Sequence, residues 1–78
     1  MGAKYSPEDD ILYVRFQEGE ITNSISLDDL TIIDYSDDAP VAVEFIGASG
    51  GVDLSKVPFS HKVEALIRDE GLAFPIFA

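Results

Sequence analysis

The sequence predicts an α+β fold in which a small antiparallel β-meander of about four strands precedes one C-terminal helix and an apolar tail. Two observations predict it. Apolar and polar residues alternate through the first two-thirds of the chain, and turn residues interrupt them at short intervals. After the glycine-rich run, the apolar spacing changes to about 3.6 residues, the period of a helix. We expect a single domain over residues 1–78, with the meander at 1–47, a glycine-rich joint at 48–52, and the helix and tail at 53–78.

An acidic turn links the first predicted strands. A short strand at residues 3–5 leads into the turn Ser6–Asp10, where Pro7 fixes φ and the acidic side chains can accept backbone amides. The following strand alternates, so one of its faces is apolar and is assigned to the core. That face consists of Leu12, Val14 and Phe16.

Two hairpins are expected in the rest of the meander. The first has its turn at residues 17–20 and leads into a strand at 21–27. The inward face of that strand is apolar except for Asn23, which needs a hydrogen-bonding partner if it is buried. The second hairpin leads into the strand 41–46, whose core face is apolar and whose opposite face carries Glu44.

The C-terminal part predicts a helix followed by an apolar tail. Ser60 is the expected N-cap and Gly71 the expected stop signal. The tail is almost wholly apolar, so we expect it to dock on the sheet or on a second copy of the chain, with Phe74 and Phe77 burying most of the area. The apolar stripe of the helix is formed by Val63, Leu66 and Ile67.

Length and composition predict association and a reducing compartment. A core of 78 residues seldom supplies more than about 3 to 5 kcal/mol, and the chain has no cysteine to add a disulfide. Oligomerisation, most simply as a homodimer, is the remaining source of stability. The lack of cysteine, of a signal peptide and of a membrane span leads us to expect a cytoplasmic protein.

The charge of the chain is strongly negative. Fifteen acidic and five basic residues give a net charge of −10, and residues 1–52 hold eleven of the acids but two of the bases. Such a surface repels phosphate backbones, so direct nucleic-acid binding is not expected. An acidic surface either attracts a basic partner protein or only keeps the domain soluble, and both interpretations remain open.

No group of residues predicts catalysis, a cofactor or a metal. His61 is the sole histidine, and its neighbour Ser60 cannot form a nucleophile–base pair with it at the start of a helix. The glycines fit neither nucleotide-binding pattern. Three of the four acidic pairs fall at turns, where Asp bonds nearby amides. We therefore expect no enzyme and neither a cofactor nor a metal site.

Four residues are candidates for interaction with a partner. Arg15 points away from the core face, and we expect it to pair with Glu44 across strands, or else to hold an anionic ligand. Phe74 and Phe77 are candidates because they belong to the apolar tail.

Two segments carry a resemblance to a known family. The run Y-S-P-E-D-D-I-L-Y-V-R-F from Tyr5 to Phe16 and the run V-E-F-I-G-A-S from Val43 to Ser49 resemble DUF2283, a family of small bacterial and archaeal domains of unknown function. The resemblance implies a fold and no activity. Through the gene context of the family's members, the resemblance also implies an association with small RNase-like toxins, which the residues themselves do not show. The matching positions are Tyr5, Pro7, Glu8, Asp10, Leu12, Tyr13, Arg15, Glu44, Ala48 and Ser49.

The sequence thus favours a non-catalytic protein-interaction module that presents an acidic surface to a basic protein, with an antitoxin-like role as its narrowest version. The alternative is a small-ligand-binding or minor hydrolase domain that uses the turn carboxylates and Arg15.

Overall fold

A computed structural model describes residues 1–78. Seven strands and one helix make up the chain, and five of the strands form one antiparallel sheet in the order β1-β2-β5-β4-β3. The last two strands are a short parallel pair. The elements are β1 (Gly2–Ser6), β2 (Ile11–Arg15), β3 (Asn23–Asp28), β4 (Thr31–Ser36), β5 (Ala39–Ile46), a 3₁₀ turn (Ala48–Gly50), β6 (Val52–Asp53), α1 (Ser60–Asp69) and β7 (Ile76–Phe77).

The α+β class is confirmed, but the main sheet has five strands and is not a simple meander. β2 pairs with β5 instead of β3, so the hairpin turn predicted at residues 17–20 is wrong. The amides of Phe16 and Gln17 both donate to the carbonyl of Val41, and the chain then crosses the end of the β4–β5 hairpin to reach β3. β5 occupies the middle position of the sheet, and it has buried residues on both of its faces.

Gly19 is required where this crossing segment passes β4. Its φ is 138°, and a Cβ built there would lie 2.8 Å from the side chain of Ser36. Glycine tolerates this positive φ, which here serves a crossover segment and not the hairpin turn predicted at residues 17–20.

One face of the sheet carries the core. The predicted core residues of β2 are fully buried and pack with residues of β4, β5, α1 and the segment that leads to the helix. The buried cluster consists of Leu12, Val14, Phe16, Ile33, Val43, Phe45, Ala48, Val52, Leu54, Val57, Val63 and Ile67.

β3 is exposed along its whole length, contrary to the inward face predicted for it. Ile25 is 51% exposed although it pairs directly with the buried Ile33. α1 packs on β1 and β2 and leaves this end of the sheet uncovered. Asn23 is also exposed and does not need the buried partner that its position suggested.

α1 begins one residue earlier than its predicted cap implies. Phe59, not Ser60, is the N-cap residue; it has φ 57° and makes no side-chain capping bond. Its ring lies 5.5 Å from that of Phe16, a packing contact that offsets the cost of the left-handed backbone. Gly71, with φ 72°, follows the helix as predicted. No helix of the chain has the length and apolar character to cross a membrane.

The apolar tail docks on its own chain. β7 runs parallel to β6, and the amides of Val52 and Leu54 donate to Pro75 and Phe77 at 2.8 and 2.6 Å. The 3₁₀ turn that precedes β6 occupies the predicted glycine-rich joint. The C-terminal segment is thereby attached to the core side of the molecule.

Candidate functional site

Asp10 is the centre of a hydrogen-bond network at the acidic turn. Its carboxylate accepts the hydroxyl of Tyr5 at 2.7 Å, the amide of Ser49 at 2.9 Å and the hydroxyl of Ser49 at 2.6 Å. Its carbonyl accepts the amides of Gly47 and Ala48. The network joins the β1–β2 turn to the segment after β5, so this carboxylate has a structural role.

The same bonds shift two pKa values. The hydrogen bonds from Ser49 and Tyr5 lower the pKa of Asp10, because they stabilise its charged form. The hydrogen bond to Asp10 raises the pKa of Tyr5, because the phenol must keep its proton to donate it.

Arg15 does not form the expected pair with Glu44. The register places Arg15 opposite Ala42 and Tyr13 opposite Glu44. The Nη1 atom of Arg15 donates to the carbonyls of Gln17 and Gly19 at 3.0 and 2.8 Å, so the guanidinium holds the segment that crosses to β3. The single salt bridge of the structure lies elsewhere, between Arg68 and Glu64 of α1.

The face of the sheet opposite the core carries an acidic pair. We call this the open face, because the buried residues of the helix and of β6 belong to the core cluster on the other face; Ala42 and Asp34 are nevertheless buried within it. Asp34 of β4 and Glu44 of β5 are diagonal neighbours there, since Asp34 pairs with Ala42 and Glu44 pairs with Ile32. Asp34 is only 2% exposed, which is rare for an aspartate without a cationic partner.

One oxygen of this pair has no partner. The Oδ1 atom of Asp34 accepts the hydroxyl of Ser24 at 2.5 Å, whereas its Oδ2 atom is buried and accepts no hydrogen bond. Burial raises the pKa of Glu44 to about 7, and so do the hydrogen bond that protonated Glu44 donates to Asp34 and repulsion by the negative charge of Asp34. A proton held between the two carboxyl groups at lower pH would supply the missing donor.

The family model described as "Protein of unknown function (DUF2283)" matches residues 3–49, more than half of the chain. The chain belongs to the DUF2283 family. No curated protein and no solved structure matches it. The match covers the five-stranded sheet and ends at Ser49, and α1 and the tail lie beyond it.

Five of the ten residues that carried the resemblance form two groups in this DUF2283 domain. Tyr5, Asp10 and Ser49 form the network at the acidic turn. Tyr13 and Glu44 instead face each other across β2 and β5 on the open face. The segments that carried the resemblance therefore contribute residues both to the hydrogen-bond network at the acidic turn and, through Glu44 and its neighbour Tyr13, to the acidic pair and its surroundings.

The two tail candidates have different surroundings. Phe74 is half-buried and packs its ring edge-on against Tyr5, with 4.8 Å between ring centroids. Phe77 is 57% exposed, and its ring covers Gly51. Neither lies on the open face, so the structure does not bring the four interaction candidates together.

The other polar residues do not assemble a reactive centre in the DUF2283 domain. His61 is exposed at the start of α1. No three His, Cys, Asp or Glu side chains are grouped to hold a metal ion. A cleft of about 290 Å³ lies between the β3–β4 turn and β6, but Asp28 and Asp53 at its rim accept the amides of Leu30 and Ser55.

Asp34 is the residue that sequence reasoning missed. It interrupts the apolar run of β4, and strict alternation puts it on the face of Ile32 and opposite Ile33. Alternation in β5 likewise puts Glu44 on the face away from the core. What the sequence did not reveal is the register between the two strands, which makes these carboxylates neighbours.

Proposed function

We propose that the domain is a non-catalytic protein-interaction module whose open face binds a basic protein. The observation that supports this is the acidic pair of Asp34 and Glu44, which lacks a cation of its own. Arg15 is bonded to backbone carbonyls, and Lys4 lies two strands from Glu44, about 10 Å across the sheet.

The composition of the open face also supports a protein partner. Half-buried Tyr13 and Ile32 flank Glu44 in one row across the sheet, so apolar surface surrounds the charged centre. Interfaces combine such apolar and aromatic contacts with a few charged groups, and a net charge of −10 steers a basic partner toward the domain.

The experiment is an NMR titration of the labelled domain with an arginine-rich peptide and with a neutral peptide of equal length. We expect shifts that concentrate on Tyr13, Ile32 and Glu44 and that weaken with salt. Ile32→Glu should reduce binding, whereas Ala65→Glu, with the same added charge at an exposed position of α1, should not. Shifts spread evenly over the acidic turns would contradict the proposal.

An antitoxin-like role is the narrower version of this proposal, and a cytoplasmic location accompanies it, in line with the absence of cysteine. It predicts that co-expression of the domain restores growth of cells that express a basic toxin encoded beside it. The alternative, a ligand held by the turn carboxylates and Arg15, has less support because Asp10, Asp28 and Arg15 are already hydrogen-bonded within the chain.

We further propose that the domain forms a homodimer through the edge strand β3. This strand is exposed throughout and carries neither a basic residue nor proline within it, two common means of blocking edge pairing. In antiparallel pairing centred on Ile25, residues of the same face lie opposite each other, and the two copies of Asp28 would lie at opposite ends of the interface. Sedimentation of the wild type and of Ile25→Lys tests this, and a monomeric wild type at micromolar concentration would refute it.

A further inference from the structure

We propose that Asp34 and Glu44 form a binding site for one guanidinium or ammonium group, supplied by a basic side chain of a partner protein, which replaces a proton shared by the two carboxyl groups. This inference rests on the proposed interaction role and names the chemistry of its central contact. It requires that the pair lie on an accessible face, that it lack a cation, and that it need a hydrogen-bond donor.

The need for a donor comes from Asp34. Its side chain is 98% buried, one oxygen is paired with Ser24, and the other accepts no hydrogen bond. A buried carboxylate oxygen without a donor is costly, because desolvation is not offset by a bond. A proton carried by Glu44 removes that cost, and so would an N–H group that enters when the partly exposed Glu44 side chain moves aside.

Accessibility is provided by Glu44. Its side chain is half-buried and lies between the half-buried Tyr13 and Ile32 in one row of the sheet. The aliphatic stem of a lysine or arginine can pack on Ile32, and the cationic head can contact the ring of Tyr13 as well as the carboxylates. The row therefore matches a long basic side chain in both its apolar and its charged parts.

An organic cation fits this pair better than a metal ion. Calcium takes six to eight oxygen ligands and magnesium takes six, whereas two carboxyl groups and the hydroxyl of Ser24 are the polar groups that the structure places here. Guanidinium and ammonium groups instead present several N–H donors to a carboxylate pair.

The charged groups that face the pair from each neighbouring strand are few. β2 contributes Tyr13 and Arg15, and Arg15 is held by the carbonyls of Gln17 and Gly19. β1 contributes Lys4, which pairs with Tyr13. Tyr13 therefore separates Lys4 from Glu44 in this row of the sheet. β3 contributes the uncharged Ser24. A proton or an incoming cation is thus what remains to balance the pair.

Exchange of a proton for a cation makes binding depend on pH. The pKa of Glu44, raised to about 7, means that the shared proton is largely present at pH 6 and largely lost at pH 8. Since the cation must displace that proton, affinity should fall about tenfold between pH 8 and pH 6.

The test uses the whole chain and Nα-acetyl-arginine amide as the probe, with the neutral isostere Nα-acetyl-citrulline amide as the control ligand. Carboxyl ¹³C signals of Asp34 and Glu44 are followed at pH 6 and pH 8. We expect saturable shifts with the arginine amide, about tenfold tighter at pH 8, and none with the citrulline amide. Equal shifts with both ligands would overturn the site.

Two variants complete the test. Glu44→Gln removes one charge from a half-exposed side chain and should weaken arginine binding at pH 8 at least tenfold and abolish its pH dependence. Glu8→Gln makes the same charge change at an exposed turn and should bind like the wild type. The amide spectrum of each variant checks that the fold is intact. The pH dependence of arginine amide binding to the wild type tests the exchange of proton for cation without any variant.

The outcomes separate this inference from the proposed function. If an arginine-rich peptide shifts the open face equally in the wild type and in Glu44→Gln, the interaction role stands and the cation site is wrong. If neither that peptide nor the arginine amide shifts the open face at either pH, both are wrong.

Discussion

Asp10 accepts two hydrogen bonds from Ser49, which lies 39 residues later in the chain. The contact joins the turn between the first two strands to the end of the middle strand of the sheet. A third bond, from Tyr5, holds the other side of the turn. Asp10 itself has φ 54°, a left-handed conformation that aspartate and asparagine adopt more readily than most residues.

Asp10→Asn should lower the melting temperature by several degrees at neutral pH. Asparagine tolerates the left-handed backbone, but its amide group cannot accept both bonds from Ser49. Because the pKa of Asp10 is lowered in the folded chain, its contribution is present above its unfolded pKa and is lost as pH falls through the folded value. The difference from the wild type should therefore narrow below about pH 4. Asp9→Asn, at an exposed position of the same turn, is the matched control and should change little.

Ile33→Ala should cost about 2 to 4 kcal/mol, close to the whole stability expected of so small a core. Ile25→Ala should cost less than about 1 kcal/mol, although Ile25 and Ile33 are paired across β3 and β4. The difference arises because Ile33 is fully buried, whereas half of Ile25 is exposed. Urea unfolding of both variants, at a protein concentration low enough to keep the chain monomeric, measures the difference, and equal losses there would mean that Ile25 is buried within the single chain.

Local pattern was sufficient to predict the α+β class, most strands of the sheet and the helix, but it missed β6 and β7 and was insufficient to predict how the strands pair. Alternation correctly placed Leu12, Val14 and Phe16 in the core, and it correctly turned Glu44 away from it. It could not show that β2 pairs with β5, because the turn residues at 17–20 are equally compatible with a hairpin and with a crossover. Sheet order depends on which strand buries both faces, and that is a property of the assembled sheet.

The candidate site was predictable only in part for the same reason. Glu44 was identified from its own strand, but its neighbour Asp34 follows from the β4–β5 register. The ion pair expected between Arg15 and Glu44 does not form, because the register places Arg15 opposite Ala42, two residues from Glu44 along β5. A shift of this size changes every cross-strand partner while leaving the alternation intact.

Stability should fall as pH rises from 5 to 8, and Glu44 should be the main cause. Its pKa is raised to about 7 in the folded chain, so between its ordinary value and pH 7 the folded chain holds a proton that the unfolded chain has lost. The contribution of this proton to the stability of the fold is complete below the pKa of Glu44 in the unfolded chain, and it is lost as pH rises through about 7. After allowance for solvent screening, the fall should be about 1 kcal/mol by urea unfolding.

Glu44→Gln should remove most of this slope, and Glu8→Gln should keep it. The lowered pKa values of Asp10 and Asp53 act in the opposite direction, but only at lower pH, so they leave the window from pH 5 to 8 unaffected. A slope that persists unchanged in Glu44→Gln would show that general charge repulsion, not the acidic pair, controls the pH dependence.

Gly51→Ala should release the tail from its own chain. Gly51 has φ 122° and ψ 155°, a region that residues with a Cβ rarely adopt, at a cost of about 1 to 3 kcal/mol. The added Cβ would also lie 2.4 Å from the ring of Phe77. We expect the amides of Val52 and Leu54, which donate to the tail, to exchange hydrogen faster, while amides of β5 keep most of their protection.

The double variant Gly51→Ala with Phe77→Ala separates the two causes of this release. Removal of the ring abolishes the contact but leaves the backbone strain, so protection of Leu54 should recover only in part. Phe77→Ala alone should have a small effect, because 57% of that side chain is already exposed and the carbonyl of residue 77 still accepts the amide of Leu54. Full recovery in the double variant would assign the release to the ring, and no recovery would assign it to the backbone.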